Sequence, residues 1–301
     1  MTDAECDPHR TGQTALRLFE GADVAVIVAP FITKRGITPL LEAVGAHAPI
    51  TVFTRWRADE VAAGVSDPNV YDLVADRGGD VRLHHALHAK AYVYPGMAAL
   101  VGSSNVTATA LGWSGPGGVE LLVRVAADEP AVVALLKLLE ATASEATSQI
   151  RDQVLAHAEL FDSSQRLKGV DEDATPALSA WLPTYSAPWA LWHVYTGDRE
   201  EEVARLAQPE LEALDVPPAL TEEQFNAYVG SALLQGLPGL AAQQLSNRSA
   251  YQAVRALAKL CEDVGLEVED PERQWNTLAS WIAHFLPDSY KHAIGGPALH
   301  R

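Results

Sequence analysis

A histidine and a lysine, His88 and Lys90, stand two residues apart in an apolar run. On an extended chain that spacing puts both side chains on one face. Gly102, Ser103 and Asn105 follow the next apolar run, and Glu120 opens a further one. Three neighbouring strands can thus deliver His, Lys, Ser, Asn and Glu to one place. Phosphoryl transfer needs such a set. A neutral imidazole attacks phosphorus as a nucleophile. An ammonium and an amide hold the non-bridging oxygens and offset charge that develops in the transition state. A carboxylate fixes the imidazole tautomer by accepting its other N–H. A glycine lets backbone approach a phosphate closely.

Other polar residues invite a role beside these. Lys34 and Arg35 follow the first predicted strand, and Arg55 and Arg57 the second. If those strands are parallel, both pairs lie at strand C-termini, where open α/β sheets bind ligands, and form a basic rim for an anionic substrate. Trp56, between two arginines, reads either as a base-stacking ring or as core. On an extended strand His84 shares the face of His88 and lines a substrate groove; packing is the alternative. His84, His85 and His88 together raise a zinc reading. There is no H-E-x-x-H, no cysteine nearby, and Lys90 repels a cation, so neither metal nor cofactor is expected. The loop Gly112 to Gly118 lacks the Lys-Ser/Thr of a phosphate cradle and reads as the lead-in to Glu120.

The elements that must position these groups alternate in the first half. Ala22 to Phe31, Ile50 to Trp56, Asp80 to His85, Ala89 to Tyr94, Ala98 to Ser103 and Val119 to Ala126 read as strands. Thr38 to His47, Ala58 to Val65, Asn69 to Asp76 and a long segment from Pro130 to Gln149 read as helices. A mixed sheet flanked by helices is predicted over residues 1–160. The polar stretch Asp162 to Pro176 reads as a linker, taken as 161–176. Residues 177–301 read as a mostly helical accessory domain, with helices at Glu201 to Leu214, Thr221 to Leu245 and Ala250 to Val264. Thr221 with Gln224 is a capping-box signature. Trp181 to Tyr195 holds three of the seven tryptophans and reads as core of that domain or as a docking surface for a protein partner.

Composition sets limits. Of the 301 residues 48% are hydrophobic and 20% charged, which excludes a disordered or fibrous chain. A net charge of −17 argues against a general nucleic-acid coat or a binder of anionic membranes. The excess is uneven: residues 1–150 hold 11 basic and 17 acidic side chains, residues 151–301 hold 11 and 22. The first half is therefore the better host for an anionic substrate. Cys6 and Cys261 stand far apart, so no disulfide framework is expected and a cytoplasmic location fits. The acidic opening Met1 to Glu5 does not read as a secretory signal, and no run of about 18 apolar residues is present.

The spacing of His88-Ala89-Lys90 and Gly102-Ser103-Ser104-Asn105 resembles the phospholipase D superfamily, whose motif is H-x-K, four residues, Asp, six residues, then G-S-x-N. The family's later acidic residue matches Glu120. The motif Asp falls on Pro95, a departure that bears on how rigidly the site is held more than on its chemistry. Ala29 to Thr33 and Thr54-Arg55-Trp56 look like the first two strand ends of single-motif members, including the restriction-endonuclease type. The resemblance covers about residues 13–150. It implies a metal-independent phosphodiesterase, most of all a nuclease acting on DNA or RNA through a phosphohistidine, in a bacterial restriction or anti-phage setting. It implies His88, Lys90, Ser103, Asn105 and Glu120 as the catalytic set; Gly102 of the motif, with Lys34, Arg55, Arg57 and His84 from the strand-end and parity readings above, is expected about the substrate. No other histidine of the ten is followed two residues later by lysine. Family members use two histidines, so a homodimer with one composite site is expected. The alternatives are an inert dimer of this fold that binds nucleic acid or a partner, and a phospholipid-directed enzyme.

Overall fold

The structure, a computed structural model, describes residues 11–114, 119–161, 180–198, 201–292 and 299–300. Helix α1 (Thr11–Phe19) leads into β1 (Ala25–Val28), α2 (Lys34–Ala43), β2 (Ile50–Thr54), the short α3 (Ala58–Ala62) and α4 (Val70–Ala75), and β3 (Asp80–Leu83). Then come β4 (Ala91–Tyr94), β5 (Ala98–Gly102), β6 (Leu122–Val125), α5 (Pro130–Thr142), β7 (Ser144–Glu145) and α6 (Ser148–Ala158). The second half contributes α7 (Leu191–Tyr195), α8 (Glu201–Leu214), α9 (Glu222–Leu233), α10 (Gly236–Leu245), α11 (Ala250–Asp263), α12 (Pro271–Phe285) and a short ladder, β8 (Lys291–His292) with β9 (Leu299–His300). The α/β class with a mixed sheet, flanking helices and a helical C-terminal region is as the sequence predicts.

The main sheet among the described residues has seven strands in the order β6-β5-β4-β1-β2-β3-β7. β1, β2 and β3 are parallel, while β4, β5, β6 and β7 each run antiparallel to their neighbours. β1 lies in the middle and is buried on both sides, which explains its unbroken apolar run. Ala25 and Ile27 face a core shared with α1, α2 and α4; Val28 faces a second core built on Val132 and Leu139 of α5. Since Val28 pairs with Ala91 in an antiparallel ladder, the C-terminal ends of β1 to β3 share one sheet edge with the start of β4. The end of β5 and the start of β6 lie at the same edge. The β4–β5 turn is at the opposite edge. There Met97 N–H donates to Tyr94 O at 3.0 Å, and Gly96 takes φ +77°, after Pro95.

Several predicted elements differ in extent. The helix read over Pro130 to Gln149 is two helices with a strand between. Ala143 is extended, β7 pairs with β3, and Thr147 restarts the helix by accepting from Ile150 N–H. Hydroxyls drive the break, since Thr142 donates to Leu138 O and Ser144 to Leu234 O. The helix read over Thr221 to Leu245 also divides. Gln235 is extended, and its side chain accepts from Trp56 N–H and donates to Trp56 O, both at 2.8 Å. The capping box at Thr221 is present. α1 and α12 had no counterpart in the sequence reading, although Asp270 caps α12 and Pro271 opens it. α2 begins at Lys34 rather than Thr38, because Thr33 caps it. The linker 161–176 lies outside the described residues apart from Phe161, as do Cys6 and Gly115 to Gly118 of the glycine-rich loop.

The helical half packs directly on the sheet half. One buried apolar cluster runs from Phe19 and Ile37 through Ile150 to Phe225, Trp275 and Trp281. Trp181 and Trp192 pack in it, with the Trp181 and Trp281 rings 6.0 Å apart, so core packing holds for both. Trp189 is 62% exposed. Glu210 is buried and accepts from Trp181 Nε1 at 2.9 Å and from the backbone N–H groups of Thr184 and Tyr185, which ties the aromatic segment down. Among the described residues no helix is long and apolar enough to cross a membrane.

Candidate active site

The sheet edge at the C-terminal ends of β1 to β3 gathers the chemistry-bearing residues. His88 and Lys90 stand just before β4 rather than within it. They nevertheless meet: Lys90 Nζ is 3.3 Å from His88 Nε2. An ammonium can only donate, so with Lys90 charged Nε2 is the acceptor, which in a neutral ring leaves the proton on Nδ1. The Lys90 carbonyl accepts from Gly102 N–H at 3.3 Å, and Gly102 is paired with Leu122. Lys90, Gly102 and Leu122 are therefore neighbours on adjacent strands, spanning about 10 Å at two strand spacings.

Ser103 and Glu120 form the other half of the site. Ser103 Oγ donates to Glu120 Oε2 and accepts from Leu121 N–H at 3.0 Å. Ser103 N–H donates to Leu121 O at 2.9 Å. Gly102 is required by contact: a Cβ there meets Leu121 O at 1.8 Å, so only glycine lets β6 lie this close. Asn105 Oδ1 is buried with no hydrogen-bond partner among the described residues.

Residues that the sequence reading missed hold this loop. Tyr92, fully buried, donates to Ser104 O at 3.0 Å. Burial, and then the Glu120 charge, push the Tyr92 phenol well above its ordinary range, so it stays a protonated donor. Ser104 donates to Thr11 Oγ1, which donates to Ala110 O. A tyrosine within the apolar run AYVY is the one signal the sequence offers, since buried tyrosines find partners for their hydroxyls.

The structure separates the four residues of the predicted substrate rim. Lys34 and Arg35 are exposed on the first turn of α2, and Thr33 N–H donates to Val106 O at 3.0 Å, which seats that turn beside Asn105. Arg55 and Arg57 do not join them. Arg55 is 3% exposed and forks onto Glu60, with Nε 3.1 Å from Oε2 and Nη2 2.5 Å from Oε1, beneath the Phe31 ring. Arg57 is 7% exposed and reaches Asp215 at 2.8 Å across the Tyr228 ring. Both guanidiniums serve internal ion pairs, so neither is displayed to a substrate. Arg82 pairs with Asp80 at 2.8 Å. Trp56 is core.

His84 is a correction too. β3 ends at Leu83, and Leu87 N–H donates to His84 O at 3.0 Å, so residues 84–87 turn instead of continuing a strand. His84 does not share an extended face with His88 and is buried, which is the packing alternative. His85 Nε2 donates to Leu214 O at 3.0 Å, and burial, with Arg57 next, lowers it to about 3. Among the described residues no cluster of three or more His, Cys, Asp or Glu is placed to hold a metal ion. No family model matches the chain, and no curated protein matches it.

Proposed function

We propose that the protein is a phosphodiesterase of the phospholipase D type that cleaves DNA or RNA without a metal, as a homodimer with one composite site. The observation that carries this is the Lys90 ammonium on His88 Nε2, at the same sheet edge as the Ser103–Glu120 pair. An incoming phosphate oxygen displaces Nε2 as the acceptor of the ammonium and frees the ring lone pair. That lone pair attacks phosphorus, an N–P bond forms, and the bond to the leaving oxygen breaks. The imidazolium of His88 of the partner subunit gives its proton to the leaving oxygen. The same ring then takes a proton from water as the water oxygen attacks phosphorus and the N–P bond breaks. Lys90 and Asn105 hold the non-bridging oxygens, Ser103 assists, and Glu120 orients the imidazole.

The test is cleavage of single- and double-stranded DNA and RNA in EDTA by wild type and His88→Ala. Loss on substitution, with wild-type turnover intact in EDTA, supports the reading. Metal dependence or activity that survives His88→Ala overturns the mechanism. Binding without cleavage supports the inert alternative. An active, monodisperse monomer in light scattering overturns the composite site.

A further inference from the structure

Arg55 lies below the site and touches no surface, yet its third interaction points at the chemistry. While Nε and Nη2 hold Glu60, Nη1 donates to Leu87 O at 2.9 Å. That carbonyl belongs to the peptide that enters His88. The Ser66 hydroxyl donates to Arg55 O at 3.0 Å, so the arginine backbone is fixed as well. The far side of the same turn is gripped by the helical half, where His85 Nε2 meets Leu214 O. Arg57 lies within 3.6 Å of Glu60 and bonds both the carboxylate and the carbonyl of Asp215. A continuous series of charged contacts therefore runs from the end of α8, through Arg57, Glu60 and Arg55, to the residue before His88.

We propose that Arg55, locked by Glu60, is the positioning residue of His88, and that the helical half is the anchor of this device. The inference rests on the phosphodiesterase reading for its effect on turnover, but not for its effect on the imidazole. A buried ion pair has no need to be retained for stability, since well-packed apolar residues often serve equally. A planar fork that grips a carboxylate while its remaining arm holds one carbonyl does what an ammonium cannot. A shift of about 1 Å in a reacting group can cost 10²-fold in rate.

The experiment compares wild type with the double variant Arg55→Met/Glu60→Met and with Arg55→Lys. The double variant removes both charges together, so no buried charge is stranded. Turnover of bis(4-nitrophenyl) phosphate in EDTA is measured alongside the nitrogen-15 signals of the His88 ring, assigned with His88→Gln. The expected result for the double variant is a kcat lower by about 10–10²-fold with KM within about threefold, and a ring that leaves the single Nδ1–H tautomer for a mixture. Arg55→Lys is expected to fall between, and it gives the same reading should the double variant not fold. Ring signals identical to wild type in a folded variant overturn the positioning role. Altered ring signals with unchanged turnover overturn the link between this positioning and the rate, whereas altered ring signals with no turnover even in wild type support the positioning role and count against the phosphodiesterase reading instead.

Discussion

Ser103 is bonded three times by the chain that enters β6: its hydroxyl donates to Glu120 and accepts from Leu121 N–H, and its backbone N–H donates to Leu121 O. The serine and the acid are therefore one unit, although they are far apart in sequence. Glu120→Gln keeps the shape of this unit and removes its charge. If Glu120 orients the imidazole, Glu120→Gln lowers kcat about 10²-fold while Ser103→Ala lowers it about tenfold. Equal losses in steady-state kinetics would confine Glu120 to holding the serine.

Gly102→Ala tests the close approach of the two strands. The added methyl meets the backbone of Leu121, which cannot swing away as a side chain does. Either β6 is displaced or the ladder strains, at a cost of about 2–3 kcal/mol. Thermal melting should fall accordingly, and amide exchange should rise at Leu122 and Val123. A melting temperature equal to wild type would show that β6 gives way freely.

His85 makes stability depend on acid. Its folded value, about 3, lies below the ordinary value of 6.5, so the unfolded chain takes up the proton first. Stability is complete above pH 6.5 and falls as pH drops toward 3, by about 1.4 kcal/mol per pH unit from this group. His157, also lowered by burial, acts in the same direction. Urea titrations of wild type and His85→Gln between pH 7 and pH 4 should show a shallower acid limb in the variant. Parallel limbs would remove His85 as the cause.

Internal pairing of Arg55 and Arg57 limits what the site can offer a polyanion. If the proposed dimeric site takes duplex DNA, with Lys34, Arg35 and Lys90 as its cations, the salt slope should be no steeper than about −5. Lys34→Gln/Arg35→Gln should reduce that slope by about 3 to 4 in fluorescence anisotropy. An unchanged slope would place the phosphate contacts elsewhere.

The local parts of this protein were legible in its sequence, and the distant parts were not. His88 with Lys90, and the strand runs that flank them, follow from spacing of two and from apolar character. The fate of Arg55 and Arg57 depends on Glu60 and on Asp215, the latter 158 positions away from Arg57. No window around an arginine shows whether a carboxylate will be buried against it. The same holds for the helix breaks: Ser144 and Gln235 leave helical geometry where their side chains bond the distant backbone of Leu234 and Trp56. His84 failed for a smaller reason, since the strand ended one residue before it and parity ceased to apply.

The β4–β5 turn also bears on the order of folding. Pro95 and Gly96 occupy the second and third places of a four-residue turn, with the proline presetting φ and the glycine taking the positive value that a type II turn requires. His88 and Lys90 stand at the open end of one arm, and Ser103 and Asn105 at the open end of the other. These four residues are thus brought together by closure of a single short hairpin, an event on the microsecond scale, whereas Glu120 arrives with β6 and the Arg57–Asp215 anchor must await the long-range collapse of the chain. The hairpin residues meet first and are braced last, so the folding transition state should already contain the hairpin while Asp215 is still free.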